Sequence, residues 1–273
     1  MESENPTGPL VTVITVVYNA EAALEATMLS VLAQDWPHLE YLVIDGGSTD
    51  GTHQIIRRHA LRLGGWISER ERGIYDAMNK GIRMAKGEWI HFLNAGDRFA
   101  SPDVLTRCMQ TARPGDGAIY GDCLIEYNGF RRRVEGKGPE HLPLGLPFSH
   151  QAVFVRREAI VDSGFNLGDG TAADYGMIAR LRRDALCFRY APVSVAIFQA
   201  GGISDTRRLS SLWHTWIISY RCFGLSLKPL LHFATRLTVE SVKSIGKRLI
   251  GDRVMDRLRT WKYRDHHQPN IHS

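Results

Sequence analysis

Two stretches, Leu10-Val11-Thr12-Val13-Ile14-Thr15-Val16-Val17-Tyr18-Asn19 and Leu39-Glu40-Tyr41-Leu42-Val43-Ile44-Asp45-Gly46-Gly47-Ser48-Thr49-Asp50-Gly51, decide the fold. Each begins with Val, Ile, Leu or Thr residues that favour extended backbone, and each ends in polar turn residues. Both read as buried strands. Between them, Ala20 to Gln34 sets Ala23, Leu24, Thr27, Met28, Val31 and Leu32 at helical spacing and stops before Trp36-Pro37. Thr52 to Arg62 is helical again, so the order is β-α-β-α.

Further along, Trp66 to Ser68 reads as a third strand, Ile74 to Lys86 as a third helix, and Trp89 to Leu93 as a fourth strand ending at Asn94-Ala95-Gly96-Asp97. Strands and helices alternating at this length build an α/β fold, a mostly parallel sheet covered on both faces. Ligands of such sheets sit beyond the carboxyl ends of the strands, where both acidic turns fall. After a helix over Pro102 to Ala112, Ala118 to Ile125 and Phe130 to Val134 read as a hairpin around Asn128-Gly129. Strands are expected over Gln151 to Val155 and Cys187 to Pro192, and helices over Arg156 to Ser163 and Ala172 to Arg183. Ala200 to Ser204 reads as a loop, followed by two or three basic amphipathic helices within Thr206 to Tyr263.

The chain has 273 residues, 44% hydrophobic and 23% charged, which suits a soluble globular protein with a sizeable core. Four scattered cysteines, Cys108, Cys123, Cys187 and Cys222, fit no zinc-ligand spacing and are expected as reduced thiols. The first twenty residues lack the pattern of a signal peptide, and no window reaches the roughly 18 apolar residues of a spanning helix. A cytoplasmic location is therefore expected. The net charge of +5 divides unevenly: residues 205–264 hold thirteen basic and four acidic residues, a charge of +9, which leaves −4 on the rest.

In that basic stretch Trp213, Trp216, Tyr220, Phe223 and Phe233 interleave with Arg221, Lys228 and Arg236. The pattern suits an interfacial helix peripheral on the inner face of the cell membrane, where cations meet anionic lipid. Packing of the same aromatics on the rest of the chain, or in a homodimer, is the alternative. Nucleic acid is not expected as a partner, because no recognition motif accompanies the charge.

Asp45, Asp50 and Asp97, just past the strand ends, are placed to hold a polar ligand or a hard cation that neutralises phosphate. Ordinary turn and N-cap chemistry is the structural alternative for Thr49 and Asp50. Neither GxGxxG nor a GxxxxGK loop occurs, so no phosphate-cradling motif is present.

The opening Thr12 to Asn19 and the segment Val43 to Thr52 resemble the family 2 glycosyltransferases, whose second motif is V-D-D-G-S-x-D-x-T. Arg72-Gly73-Ile74-Tyr75-Asp76-Ala77-Met78-Asn79-Lys80-Gly81 and Phe92-Leu93-Asn94-Ala95-Gly96-Asp97 resemble the G-I-Y-D-A-M-N-K-G and F-L-N-A-D-D segments of a bacterial subgroup that builds surface polysaccharides and glycolipids. In the second half, Ser149 to Arg157 resembles C-H-Q-x-x-F-x-R-R. Ala173-Asp174-Tyr175-Gly176 is similar to A-D-W/Y-D, and Gly201 to Ser204 to G-G-I/V-S.

The resemblance implies a GT-A fold with a single Rossmann-like sheet, a nucleotide-sugar donor, a divalent cation (Mn or Mg), and a glycan or lipid-linked acceptor. It divides the chain into a transferase domain, 1–204, and a basic helical extension, 205–273. Within the domain, 10–115 forms the nucleotide-sugar half and 116–204 the acceptor half. Asp45 matches the acid that reaches base or ribose, with Tyr18, Asn19, Asp76, Arg72 and Asn94 as further donor contacts. Asp97 matches the last acid of the metal-binding turn, and His150 is a second candidate for the metal, for the diphosphate or acceptor, or for a buried structural role. Asp174 falls at the general base.

Two departures stand out: the metal turn keeps one carboxylate, and Gly176 replaces an acid, leaving Asp174 as the one expected there. Asp76 is expected to be exposed by its helical spacing. Together these features imply an inverting, metal-dependent hexosyl- or deoxyhexosyltransferase. A sugar nucleotidyltransferase and a catalytically degenerate glycan-binding relative are the alternatives.

Overall fold

β1 (Val11–Val17) is buried along its whole length, because it has a strand on each edge and helices over each face. Its residues divide by side: Val11, Val13 and Val17 join one apolar cluster, Ile14 and Val16 the other, as the period of two requires. β2 (Leu39–Asp45) repeats this, with Tyr41 and Val43 against Leu42 and Ile44. The computed structural model describes residues 8–127, 130–199 and 208–250.

β3 (Gly65–Ser68), β2, β1 and β4 (Trp89–Phe92) pair in parallel in that order. α1 (Glu21–Leu32), α2 (Thr52–His59) and α4 (Val104–Thr111) pack on one side and α3 (Ile74–Met84) on the other. The β-α-β-α reading thus describes this half.

Beyond β4 the sheet is mixed rather than mostly parallel. β8 (Val153–Arg156) lies antiparallel between β4 and β6 (Asp116–Tyr127), β9 (Cys187–Gln199) runs parallel to β6, and β5 (Arg98–Phe99) lies antiparallel to β9. β7 (Phe130–Val134) pairs with β6 as the expected hairpin, and Asn128 and Gly129 lie outside the described residues.

β9 continues through Pro192, where the strand was expected to stop. The register with β6 jumps from Tyr120–Tyr190 to Asp122–Ser194, so Pro192 sits in an irregular stretch where a missing N–H breaks no regular ladder. Gly121 fits opposite because a Cβ there would lie 2.6 Å from the Val193 carbonyl oxygen.

α5 (Arg157–Ile160) and α6 (Ala173–Arg183) follow β8, and the expected loop from Ala200 to Ser204 lies outside the described residues. α7 (Arg208–Phe223) buries Leu212, Ile218 and Ser219, and Ile218 joins the same cluster as α3 and α6. The Ser219 hydroxyl donates to the Pro143 carbonyl at 2.7 Å. α8 (Leu227–Ile250) buries Phe233. Of the aromatics in this basic segment, Phe223 and Phe233 turn inward, whereas Trp213 and Tyr220 are exposed. No helix among the described residues is long and apolar enough to cross a membrane.

Candidate active site

The first acidic turn is tied to the end of β1. Asn19 adopts a left-handed conformation (φ 47°), which Asn tolerates better than most residues. There its N–H donates to Ser48 Oγ at 2.8 Å, and its side-chain oxygen accepts the Thr49 N–H at 2.8 Å. Asp45, fully buried, accepts the Ser48 N–H and hydroxyl and, from the end of β3, the Ser68 hydroxyl. Asp50 accepts the N–H groups of Glu21 and Thr52 at 3.1 and 3.0 Å. Much of the turn's hydrogen-bonding capacity is therefore used within the protein. Tyr18, by contrast, is 64% exposed at the mouth of β1.

The second acidic turn is differently supplied. Burial pushes the Asp97 carboxyl up to about 6, against the opposing charge of His150 and a hydrogen bond from the Gln151 side chain. Asn94, three residues earlier, has a buried side-chain oxygen without a hydrogen-bond partner. Such an orphaned acceptor is costly unless something else meets it.

His150 belongs to the short helical turn just before β8 and connects this region to α6. Its Nδ1 lies 3.2 Å from Asp174 Oδ2. Burial opposes charge on His150, but the hydrogen bond and charge of Asp174 and the charge of Asp97 outweigh it, so its pKa rises above the ordinary value. Burial alone would likewise raise the Asp174 carboxyl. His150, the Tyr175 N–H and the Tyr75 hydroxyl prevail and hold it below the usual range. Tyr75, from the first turn of α3, points its hydroxyl at Asp174 Oδ1 and the Thr171 carbonyl, 3.4 Å from each, and stacks on Phe165.

Asp97, His150 and Asp174, drawn from three separate parts of the chain, thus form one electrostatic group. Other expected residues are arranged differently. Arg72 engages Asp76 through its N–H and guanidinium, and Asp76 is 17% exposed, more sheltered than its spacing implied, whereas Ile74 is exposed. His150, expected near Asp97 as a metal ligand, turns Nδ1 toward Asp174, which leaves Nε2 as its other ring nitrogen.

Sequence reasoning missed Tyr75, although it lies inside a quoted motif, and it missed Asp169. A Cβ on Gly176 would fall 2.3 Å from Asp169 Oδ2. Asp169 is buried and accepts a hydrogen bond from Arg180 Nη1 at 2.6 Å. Asp174 stays the one acid of its segment, and Asp169, from the preceding turn, occupies the space that Gly176 leaves open. The signal was an Asp within Asn166-Leu167-Gly168-Asp169-Gly170, but nothing local reveals that this turn folds against α6.

Among the described residues, no three His, Cys, Asp or Glu side chains converge as a ready-made metal cage. Mg²⁺-type sites commonly use one or two carboxylates and take their other oxygens from substrate phosphates and water. Asp97 and the unpartnered Asn94 oxygen are donors of that hard type, so the residues present fit a shared site of this kind.

Residues 12–169 match glycosyl transferase family 2. The chain is similar to a PGL/p-HBAD biosynthesis glycosyltransferase of Mycobacterium bovis (strain BCG / Pasteur 1173P2), 33% identical over 207 residues, covering 72% of this chain and 80% of that one. A mannosyltransferase from Pyrobaculum calidifontis, solved with GDP-Man and Mn2+, shares the fold with a TM-score of 0.65 at 23% identity, over 96% of this chain and 82% of that one. Glucosyl-3-phosphoglycerate synthase from Mycobacterium tuberculosis, solved with Mn2+, UDP and phosphoglyceric acid, matches with a TM-score of 0.57 at 16% identity, over 81% of each chain.

Proposed function

The chain belongs to glycosyl transferase family 2, and from that premise we propose that it moves one sugar from a nucleotide-sugar donor to a hydroxyl of a glycan or lipid-linked acceptor, inverting the anomeric configuration. The observation that carries this reading is the pairing of His150 Nδ1 with Asp174 Oδ2 at 3.2 Å, within the electrostatic reach of Asp97. The structurally similar mannosyltransferase was solved with a nucleotide sugar, GDP-Man, and manganese, and glucosyl-3-phosphoglycerate synthase with UDP and manganese, which supports this reading. Surface polysaccharide or glycolipid synthesis in a bacterium is the setting that the subgroup motifs favour.

In this reading Asp174 is the base. It stays ionised at neutral pH, and His150 and Tyr75 fix its two oxygens so that its position is set before an acceptor arrives. A carboxylate held below its usual pKa is a weak base in the ground state. The acceptor hydroxyl, however, becomes strongly acidic only as its oxygen bonds to the anomeric carbon, and proton transfer at that stage needs a well-placed base. Attack opposite the departing nucleoside diphosphate then gives inversion in one step.

Asp97 and Asn94 would hold a divalent cation, whose charge neutralises that developing on the leaving diphosphate. Exposed Tyr18 offers a flat surface to the donor base, Asn19 and Asp45 keep the adjoining turn in shape, and Arg72 with Asp76 borders the donor at the start of α3.

The test is a thermal-shift and product screen of UDP-, GDP-, dTDP- and CMP-linked sugars, with and without manganese. At least one donor is expected to stabilise the protein and to be consumed when acceptor is supplied. Indifference to every nucleotide sugar under both conditions would refute the reading.

A further inference from the structure

The exposed apolar side chains are concentrated at one end of the sequence. Of fifteen large hydrophobic residues exposed among the described residues, nine lie between Leu209 and Val242, too many to be isolated surface positions. On α7, Leu209, Trp213 and Tyr220 recur at positions i, i+4 and i+11 and so share one side, away from buried Ile218. On α8, Leu227, Leu231 and Val242 mark a second outward stripe, away from buried Phe233. Each helix is anchored on one side and leaves an apolar side in water.

Charge selects the occupant. Arg221, Lys228 and Arg236 are exposed on these helices, and from Lys243 to Arg264 the sequence adds eight basic residues against two acidic ones. A second copy on this face would bring one strongly basic segment against another, and a neutral apolar partner would leave the cations unmatched. An anionic bilayer accepts both: Trp and Tyr suit the headgroup boundary, Leu and Val enter below it, and Lys and Arg meet lipid phosphate. We infer that the outward faces of α7 and α8 dock the protein on an anionic lipid surface. This concerns binding alone and stands whether or not the sugar-transfer reading does.

The test uses the full-length protein in flotation with vesicles of neutral phosphatidylcholine and with vesicles containing about 30% phosphatidylglycerol. Binding to the anionic vesicles is expected to be at least about tenfold stronger and to weaken as salt shortens the screening length. The surface pair Trp213→Ser with Leu231→Ser should lower anionic-vesicle binding about tenfold while leaving the melting temperature unchanged. Lys228→Glu with Arg236→Glu should erase the preference for anionic lipid. Failure to bind anionic vesicles, equal binding to both kinds, or a stable dimer that the Trp213 and Leu231 pair dissociates would overturn the inference. The readout is independent of donor turnover, so an inactive but vesicle-binding protein separates the two readings.

Discussion

The two acidic turns lie past the ends of the strands that flank β1, yet they treat their carboxylates in opposite ways. Asp45 is buried and fully engaged, holding Ser48 and Ser68 so that the turn keeps its shape. Asp97 is sheltered from water with few donors of its own, its carboxyl pushed up to about 6, beside an Asn94 oxygen that meets no partner. An acid that closes its own loop contributes to the fold. One left short of partners is available to something that arrives from outside, and it is retained at a cost in stability.

The contrast can be attacked most strongly at Asp174, the proposed base, which pairs with His150. Asp174→Asn is expected to lower transfer on the order of 10³-fold with nucleotide affinity nearly unchanged, as measured by initial rates and calorimetry. Unchanged turnover would remove Asp174 as base. Asp97→Asn should cost roughly 10²-fold in rate, the scale of losing one electrostatic stabiliser.

The same substitution should stabilise the metal-free fold at pH 8. The native pKa near 6 exceeds the usual aspartate value, so ionised Asp97 destabilises the folded state above pH 6; removing the charge should return on the order of 1–3 kcal/mol in urea unfolding. A clear loss of stability would erase the distinction between the turns.

Asp45→Asn should do the reverse. It leaves Ser48 and Ser68 with one acceptor too few, costing about 1–3 kcal/mol of stability, with a smaller effect on turnover than Asp97→Asn. The strand beneath the second turn adds an acid-side check. His91 is buried between Phe99 and Phe154, and burial depresses its pKa to about 3, so the unfolded chain takes up a proton first as pH falls below about 6.5. Stability from this group is complete above that pH and should fall by ~2 kcal/mol by pH 5. His91→Phe should flatten that slope.

The fold from β1 to β4 is readable because its strands are buried and alternate with helices of ordinary length, so each element announces itself locally. β9 was read short because Pro192 usually ends a strand; only the irregular register opposite Gly121 lets it continue. In the candidate site, Asp45, Asp97, His150 and Asp174 stand in recognisable motifs. Their grouping does not follow from local pattern, since His150 and Asp174 meet across a gap of 23 intervening residues and Tyr75 reaches Asp174 from α3. The uneven fate of the tail aromatics, with Phe233 inward and Trp213 outward, likewise depends on which side of each helix meets the body.

The space shared by Asp169 and Gly176 constrains how such a sequence can change. Gly176→Asp alone would press a second carboxylate onto Asp169, and Asp169→Gly alone would leave Arg180 facing a vacant site. Each single step is harmful while the two together exchange one arrangement for the other. The two substitutions are therefore expected to compensate one another, the double variant unfolding at higher urea than either single variant.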